Sequence, residues 1–248
     1  MSLFPKAVFF DCWSTVLTFE EKRKDWNTAP LKRHVRESSS VDWASIDEFV
    51  DGFFKRYYQS HLDYEISARS FLTLLLRRYH LTLDCSLEMA ENEILDGLNP
   101  QPVKGIEAFL KTLEKKGIPY YILSNTIYPE EDSFRRVKEK LPDSRFEAFF
   151  GSSAIGVKKP NPDFFQTALS YFEQPIGESV YIGDAYYQDV YGSFCSGFAL
   201  SVWLNWKGKK KDESFVPKNE REAVRYREVR SYDELTEALE KGLLLPLR

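Results

Sequence analysis

Short apolar runs that stop at polar or turn-forming residues, separated by stretches of helical periodicity, constrain this chain more than any other feature. Ala7 to Phe10, Pro119 to Leu123, Phe149-Phe150 leading to Gly151, and Val180 to Ile182 are each too short for a helix and read as buried strands. Val202 to Leu204 reads as a fifth. Between them, Gly105 to Lys116 puts Ile106, Phe109, Leu110 and Leu113 on one face and is stopped by Gly117. Asp163 to Phe172 carries Phe164, Phe165, Ala168, Leu169 and Phe172 at the same spacing, and Ser231 to Leu239 forms a closing helix. Strands that alternate with helices build a parallel sheet covered on both faces, so the predicted fold class is α/β with a doubly wound parallel sheet.

One stretch breaks the alternation. Ile46 to Tyr58, Ala68 to Tyr79 and Leu87 to Leu98 are consecutive helical patterns, which predicts a smaller all-helical domain over residues 19–98, inserted into a core formed by 1–18 and 99–248. Its aromatics, among them Trp26, Trp43, Phe49, Phe53, Phe54, Tyr57, Tyr58 and Tyr64, mostly sit at helical spacing and are expected to form its own small core. A chain of 248 residues with 43% hydrophobic content can support one large core and one such accessory unit.

Charge narrows the partners. Thirty-four basic and 38 acidic residues are mixed along the chain for a net charge of -4, which gives no footprint for nucleic acid or an anionic membrane. The basic cluster Lys207 to Lys211 reads as a solvated loop, and Trp203 and Trp206 beside it as buried under the C-terminal helix. Cys12, Cys85 and Cys195 are odd in number and show no zinc spacing, as expected for a reducing compartment. The first apolar run is short, ends at Asp11 and precedes no small-residue cleavage site, and no run approaches the roughly 20 residues of a membrane span. A cytoplasmic protein acting on a small molecule is expected.

Four segments carry chemistry. In Ala7-Val8-Phe9-Phe10-Asp11-Cys12-Trp13-Ser14-Thr15, a strand delivers a carboxylate to its C-terminal end, where an open parallel sheet binds ligands, so Asp11 is a candidate nucleophile. Tyr120 to Leu123 leads into Ser124-Asn125-Thr126, whose hydroxyl and amide groups can donate to an oxyanion. Gly156-Val157-Lys158-Lys159-Pro160-Asn161-Pro162 presents a lysine on a stiff turn ahead of a helix; Lys159, abutting the proline, is expected to neutralise a nucleophile and anionic substrate oxygens. Val180-Tyr181-Ile182-Gly183-Asp184 ends a strand in a carboxylate with Asp189 five residues on, oxygen-only ligands that suit Mg²⁺ with Asp11.

In that order the segments resemble the motifs of the haloacid dehalogenase superfamily, and the helical insert resembles the cap that family places after its first motif. The resemblance implies a Rossmann-like core, catalytic Asp11, Ser124 and Lys159, substrate contacts from Trp13, Thr15, Ser124, Asn125 and Lys159, and Mg²⁺ on Asp11, Asp184, Asp189 and the Trp13 carbonyl. The chain departs from the family's phosphatases at Trp13, where they carry a second Asp as general acid and base. Indole has no proton to exchange near neutral pH. The family's 2-haloacid dehalogenases have an aromatic residue there and use a cap arginine, for which Arg33 and Arg36 lie in the right region, but they lack the Gly183-Asp184 and Asp189 pattern. The expected activity is therefore Mg²⁺-dependent hydrolysis of a small phosphorylated metabolite or acyl phosphate through an aspartyl-phosphate on Asp11. The alternatives are a 2-haloacid dehalogenase with an ester on Asp11, and a binding or regulatory protein on a hydrolase scaffold.

Overall fold

The computed structural model describes residues 4–19, 26, 28–59, 62–96, 99–210 and 223–244. Its main sheet has six strands: β1 (Ala7–Phe10), β4 (Tyr120–Ser124), β5 (Phe149–Gly151), β6 (Ser179–Gly183), β7 (Leu200–Leu204) and β8 (Tyr226–Val229). They lie in the order β5-β4-β1-β6-β7-β8, and every pair is parallel. All four β1 residues are buried because the strand is covered on both sides. Val8 and Phe10 face one core layer with Phe109 of helix α5 (Ile106–Lys115) and Tyr232 of α10 (Tyr232–Glu240). Ala7 and Phe9 face the other with Phe164 and Phe165 of α8 (Pro162–Phe172). This is the doubly wound α/β fold expected from the alternation.

The chain runs from β1 to β4 on one side, while β6 pairs with the other side of β1. Ligands of open α/β sheets bind at such a reversal, outside the carboxyl ends of the strands. Asp11, Ser124 and Gly183 sit at those ends, so the topology alone gathers three of the four chemical segments.

A two-stranded antiparallel ribbon, β2 (Leu17–Thr18) with β3 (Gln101–Pro102), brings the chain out of the sheet and back beside itself. Between its strands lie α1 (Ala29–His34), α2 (Trp43–Gln59), α3 (Ala68–Arg78) and α4 (Leu87–Asp96). Trp26, Leu31, Ile46, Val50, Phe54, Phe71, Leu72, Leu75 and Ile94 form a separate apolar cluster, with the Trp26 and Phe71 rings edge to face at 4.9 Å. Ile127 and Tyr128, from the loop after β4, join it. Ala68 N–H donates to the Ile127 carbonyl at 2.6 Å and Glu65 N–H to that of Gly156 at 2.9 Å, so the insert is bonded to two loops bordering the crevice.

The periodicity missed α6 (Glu130–Lys140), in which only Ser133, Arg136 and Val137 are buried. Val137 enters the core with Phe134 packed beside it, and charge adds to this, with Glu130, Glu131 and Asp132 in the first turn and Lys138 and Lys140 in the last, each matching the helix dipole. Strand β8 was also unforeseen because it is a half-exposed edge. The ends of the expected Leu87 to Leu98 helix and of the Lys207 to Lys211 cluster lie outside the described residues, as does the Tyr58 side chain. Among the described residues no helix is long and apolar enough to cross a membrane.

Candidate active site

Asp11 follows β1 directly and is 7% exposed. The Asp11 loop turns back at Ser14, which takes φ of 64°. Thr15 donates its hydroxyl to Asp11 Oδ2 at 3.2 Å, and Tyr232 donates its own to the Thr15 carbonyl at 2.9 Å, fixing the turn from beneath. Trp13 points away from this bonding and stacks on Phe19, with ring centroids 5.5 Å apart.

Lys159 is 2% exposed, and its Nζ donates to Asp11 Oδ1 and Asp189 Oδ1, both at 2.7 Å. The Leu123 carbonyl at 3.0 Å and the Tyr181 hydroxyl at 2.8 Å complete the shell. Four oxygens around three N–H bonds are accommodated because Tyr181 can itself donate to Leu123 O or Asp189 Oδ1. Burial disfavours the ammonium, yet Asp11 and Asp189 hold its pKa above the ordinary lysine value, so it stays charged. Lys158, the neighbouring candidate, turns away and sits 3.9 Å over the Tyr57 ring.

Asn125 is tied to the Lys159 backbone. Its Oδ1 accepts the Lys159 N–H at 2.8 Å and its Nδ2 donates to the Lys159 carbonyl at 3.1 Å. A carboxamide closing this ring with the backbone aims the lysine before it can serve an oxyanion. The loop is pinned further by Gly192, where a Cβ would come within 2.8 Å of Phe165 and 3.0 Å of the Pro160 backbone. Ser124 is fully buried, with its hydroxyl 3.3 Å from the Asn125 carbonyl.

Gly183 is required by close approach. A Cβ there would lie 2.3 to 2.5 Å from the Asp189 carboxyl group and Cβ. Asp189 sits on a π-helical turn (Tyr186–Tyr191), and its Oδ2 accepts the Ala185 N–H at 2.9 Å. Gly183→Ala is expected to push Asp189 off Lys159 and to lower stability by about 1–3 kcal/mol, the range for overpacking a closed site. Unchanged denaturant stability would show that Asp189 moves aside freely.

Asp11, Asp184 and Asp189 each offer a carboxylate oxygen, and the three atoms lie within 4.8 Å of one another. Burial pushes the Asp11 carboxyl up to about 7, with Lys159 resisting and Asp189 and Asp184 reinforcing the rise. Asp184 is raised by burial and by Asp189 against the pull of Lys209. A buried all-oxygen cluster short of positive charge fits a hard divalent cation such as Mg²⁺. His34, Asp84 and Cys85 also converge, in the helical insert, but there the His34 ring is held between Asp84 at 3.2 Å and Glu93 at 2.8 Å. Arg33 pairs with Glu93 as well, at 2.7 Å.

Three residues to which the sequence reading gave no role enter the site, Tyr181, Lys209 and Lys207. Tyr181 is a strand residue whose hydroxyl meets the Lys159 ammonium. Lys209 bonds Asp184 Oδ2, which corrects the reading of the basic cluster as a solvated loop. Lys207 likewise turns in, with Nζ 2.8 Å from Ser14 Oγ. Trp203 is buried, but against Tyr186 and Val190 of the π-helical turn rather than under the C-terminal helix, and donates to the Asp184 carbonyl at 3.0 Å, whereas Trp206 is 37% exposed and donates to the Ser14 carbonyl at 2.8 Å.

A family model for haloacid dehalogenase-like hydrolases matches residues 5–192. The chain is 33% identical over 209 residues to a glyceraldehyde 3-phosphate phosphatase of Pyrococcus abyssi, covering 81% of this chain and 82% of that protein. It is 25% identical over 209 residues to that of Pyrococcus furiosus, covering 81% of each. A crystal structure of 2-haloacid dehalogenase from Pseudomonas syringae pv. Tomato DC3000 superposes with a TM-score of 0.58 at 21% identity, covering 96% of this chain and 99% of that one.

Proposed function

The chain belongs to the haloacid dehalogenase-like hydrolases, and we propose that it is a Mg²⁺-dependent phosphatase that hydrolyses a small phosphorylated metabolite or acyl phosphate through an aspartyl-phosphate on Asp11. The observation that carries this reading is the buried Asp11–Lys159 pair at the carboxyl end of β1, with Asp184 and Asp189 alongside. The phosphatases named among its relatives support hydrolysis of a phosphorylated substrate.

Asp11 attacks phosphorus through a carboxylate oxygen, the bond from phosphorus to the leaving oxygen breaks, and the electron pair departs with that oxygen. Thr15 and Lys159 orient the carboxylate for in-line attack, while Ser124, Lys159 and the remaining Asn125 N–H hold the phosphoryl oxygens. Water then attacks the aspartyl-phosphate, releasing inorganic phosphate and restoring Asp11. A Mg²⁺ ion held by Asp11, Asp184 and the Trp13 carbonyl, with Asp189 in support, would neutralise phosphoryl charge. Trp13 cannot protonate the leaving oxygen, so acyl and aryl phosphates are favoured over alkyl esters, which lose the ~10²–10⁴ that general acid catalysis contributes. Residues 19–98 act as the cap over this crevice.

The test is phosphate release from acetyl phosphate and p-nitrophenyl phosphate, first with Mg²⁺ and then with excess EDTA. Turnover is expected to fall by at least about 100-fold on chelation, from the several kcal/mol that a charge-neutralising metal contributes. Turnover indifferent to EDTA would remove the metal from the reading. The aromatic Trp13 favours one second reading, a 2-haloacid dehalogenase; halide release from 2-chloropropionate in EDTA, without phosphate release in Mg²⁺, would establish it instead.

A further inference from the structure

The two ammonium groups of the acidic cluster are held in opposite ways. The Lys159 side chain is 1% exposed and enclosed by four oxygens. The Lys209 side chain is 44% exposed, and its Nζ reaches Asp184 Oδ2 from the solvent side, 3.4 Å from the Asp184 carbonyl. Its backbone, however, is built in. Asn205, 2% exposed, accepts the Lys209 N–H at 2.7 Å, donates to the Lys209 carbonyl at 3.0 Å and is anchored by Glu228 at 2.9 Å. Gly208 closes this turn with φ of 64°. Trp206 and Lys207 latch the same turn to Ser14 on the Asp11 loop. The result is a fixed base carrying a long side chain whose charged end can leave.

We infer that Lys209 is a tethered, releasable counter-cation that occupies Asp184 when no divalent cation is bound and is exchanged for one on metal binding. The inference rests on the metal reading of the acidic cluster given above. Charge supports the exchange: three carboxylates with Lys159 and Lys209 leave one net negative charge, whereas a dication in place of Lys209 leaves none. Asp184, deprived of Lys209, would otherwise be a buried carboxylate facing Asp189 with only Lys207, itself held at Ser14, to offset its charge, a costly arrangement. The tether therefore lets the metal-free protein keep its site ordered, at the cost of weaker metal binding.

Isothermal titration of the full chain with MgCl₂ and with MnCl₂ tests this, in wild type, Lys209→Gln and Lys209→Arg, with melting measured in EDTA and in saturating Mg²⁺. Lys209→Gln is expected to bind Mg²⁺ about two- to fivefold more tightly, the range of a partly exposed ion pair. It should also melt several degrees lower than wild type in EDTA and together with it in saturating Mg²⁺. Lys209→Arg should bind metal as wild type does. Equal or weaker Mg²⁺ binding by Lys209→Gln, or equal melting in EDTA, overturns the inference. Absence of metal binding in both wild type and Lys209→Gln overturns it together with the metal reading. Normal metal exchange in a protein without phosphatase turnover overturns the proposed reaction alone.

Discussion

Lys159→Met is expected to abolish turnover and to destabilise the fold by about 3–5 kcal/mol, the cost of removing one partner from a buried ion pair. One ammonium serves two carboxylates here, Asp11 and Asp189, both at 2.7 Å. Methionine approximates its volume but leaves those carboxylates buried and facing each other, with the Leu123 carbonyl and Tyr181 hydroxyl short of a donor. Urea denaturation in EDTA at pH 7.5 measures the loss, and Mg²⁺ should restore part of it by supplying positive charge to the same cluster. A loss below about 1 kcal/mol would place this pair among weak, solvent-screened ones and would deprive Lys159 of its central role. The double variant Lys159→Met/Asp11→Asn should be less destabilised than the single, since one stranded charge has been removed.

The sheet was legible because parallel strands covered on both faces read as unbroken apolar runs, as in Ala7–Phe10. Their polar termini were legible for the same reason: Asp11, Ser124 and Asp184 each interrupt a run where the fold needs no apolar side chain. Helix α6 was not, because only Phe134 and Val137 mark its buried face within an otherwise charged sequence, too few apolar positions to set a period. The site divides along similar lines. Residues on one continuous segment, such as Asp184 with Asp189, announced their relation through spacing. Tyr181 did not, since a tyrosine within an apolar strand reads as core until the lysine 22 residues away is known to reach its hydroxyl. Lys209 was hidden by composition, because lysines in a loop ordinarily face water. Only the parallel pairing of β6 with β7 brings the turn after Leu204 beside Asp184. Asn125 was visible as a polar group but not its partner, since the Lys159 backbone comes to it from 34 residues away. Sequence patterns thus exposed which groups lie at strand ends, while contacts between loops of different strands required the topology.

Asp11→Asn is expected to remove nearly all turnover, by at least about 10⁴-fold, because a carboxamide cannot form the aspartyl-phosphate. It is also expected to leave the fold intact and, in EDTA above pH 7, to stabilise it by about 2–4 kcal/mol. The sign follows from burial, which raises the Asp11 carboxyl from 3.8 to about 7. A carboxyl raised on folding gives its full contribution to stability below the unfolded value and loses it as pH climbs through the folded one. Ionised Asp11 therefore weighs against the metal-free fold at pH 8, and asparagine imitates the neutral form. Melting curves of wild type and Asp11→Asn in EDTA should nearly coincide at pH 4, separate between pH 4 and 7, and stay apart above it. In saturating Mg²⁺ the separation should shrink or reverse, because the cation favours the carboxylate. A variant that keeps substantial phosphatase activity would exclude Asp11 as nucleophile. One that is less stable than wild type at pH 8 in EDTA would show that Lys159 already compensates Asp11 fully, and that the cluster has no deficit of positive charge for a metal to fill.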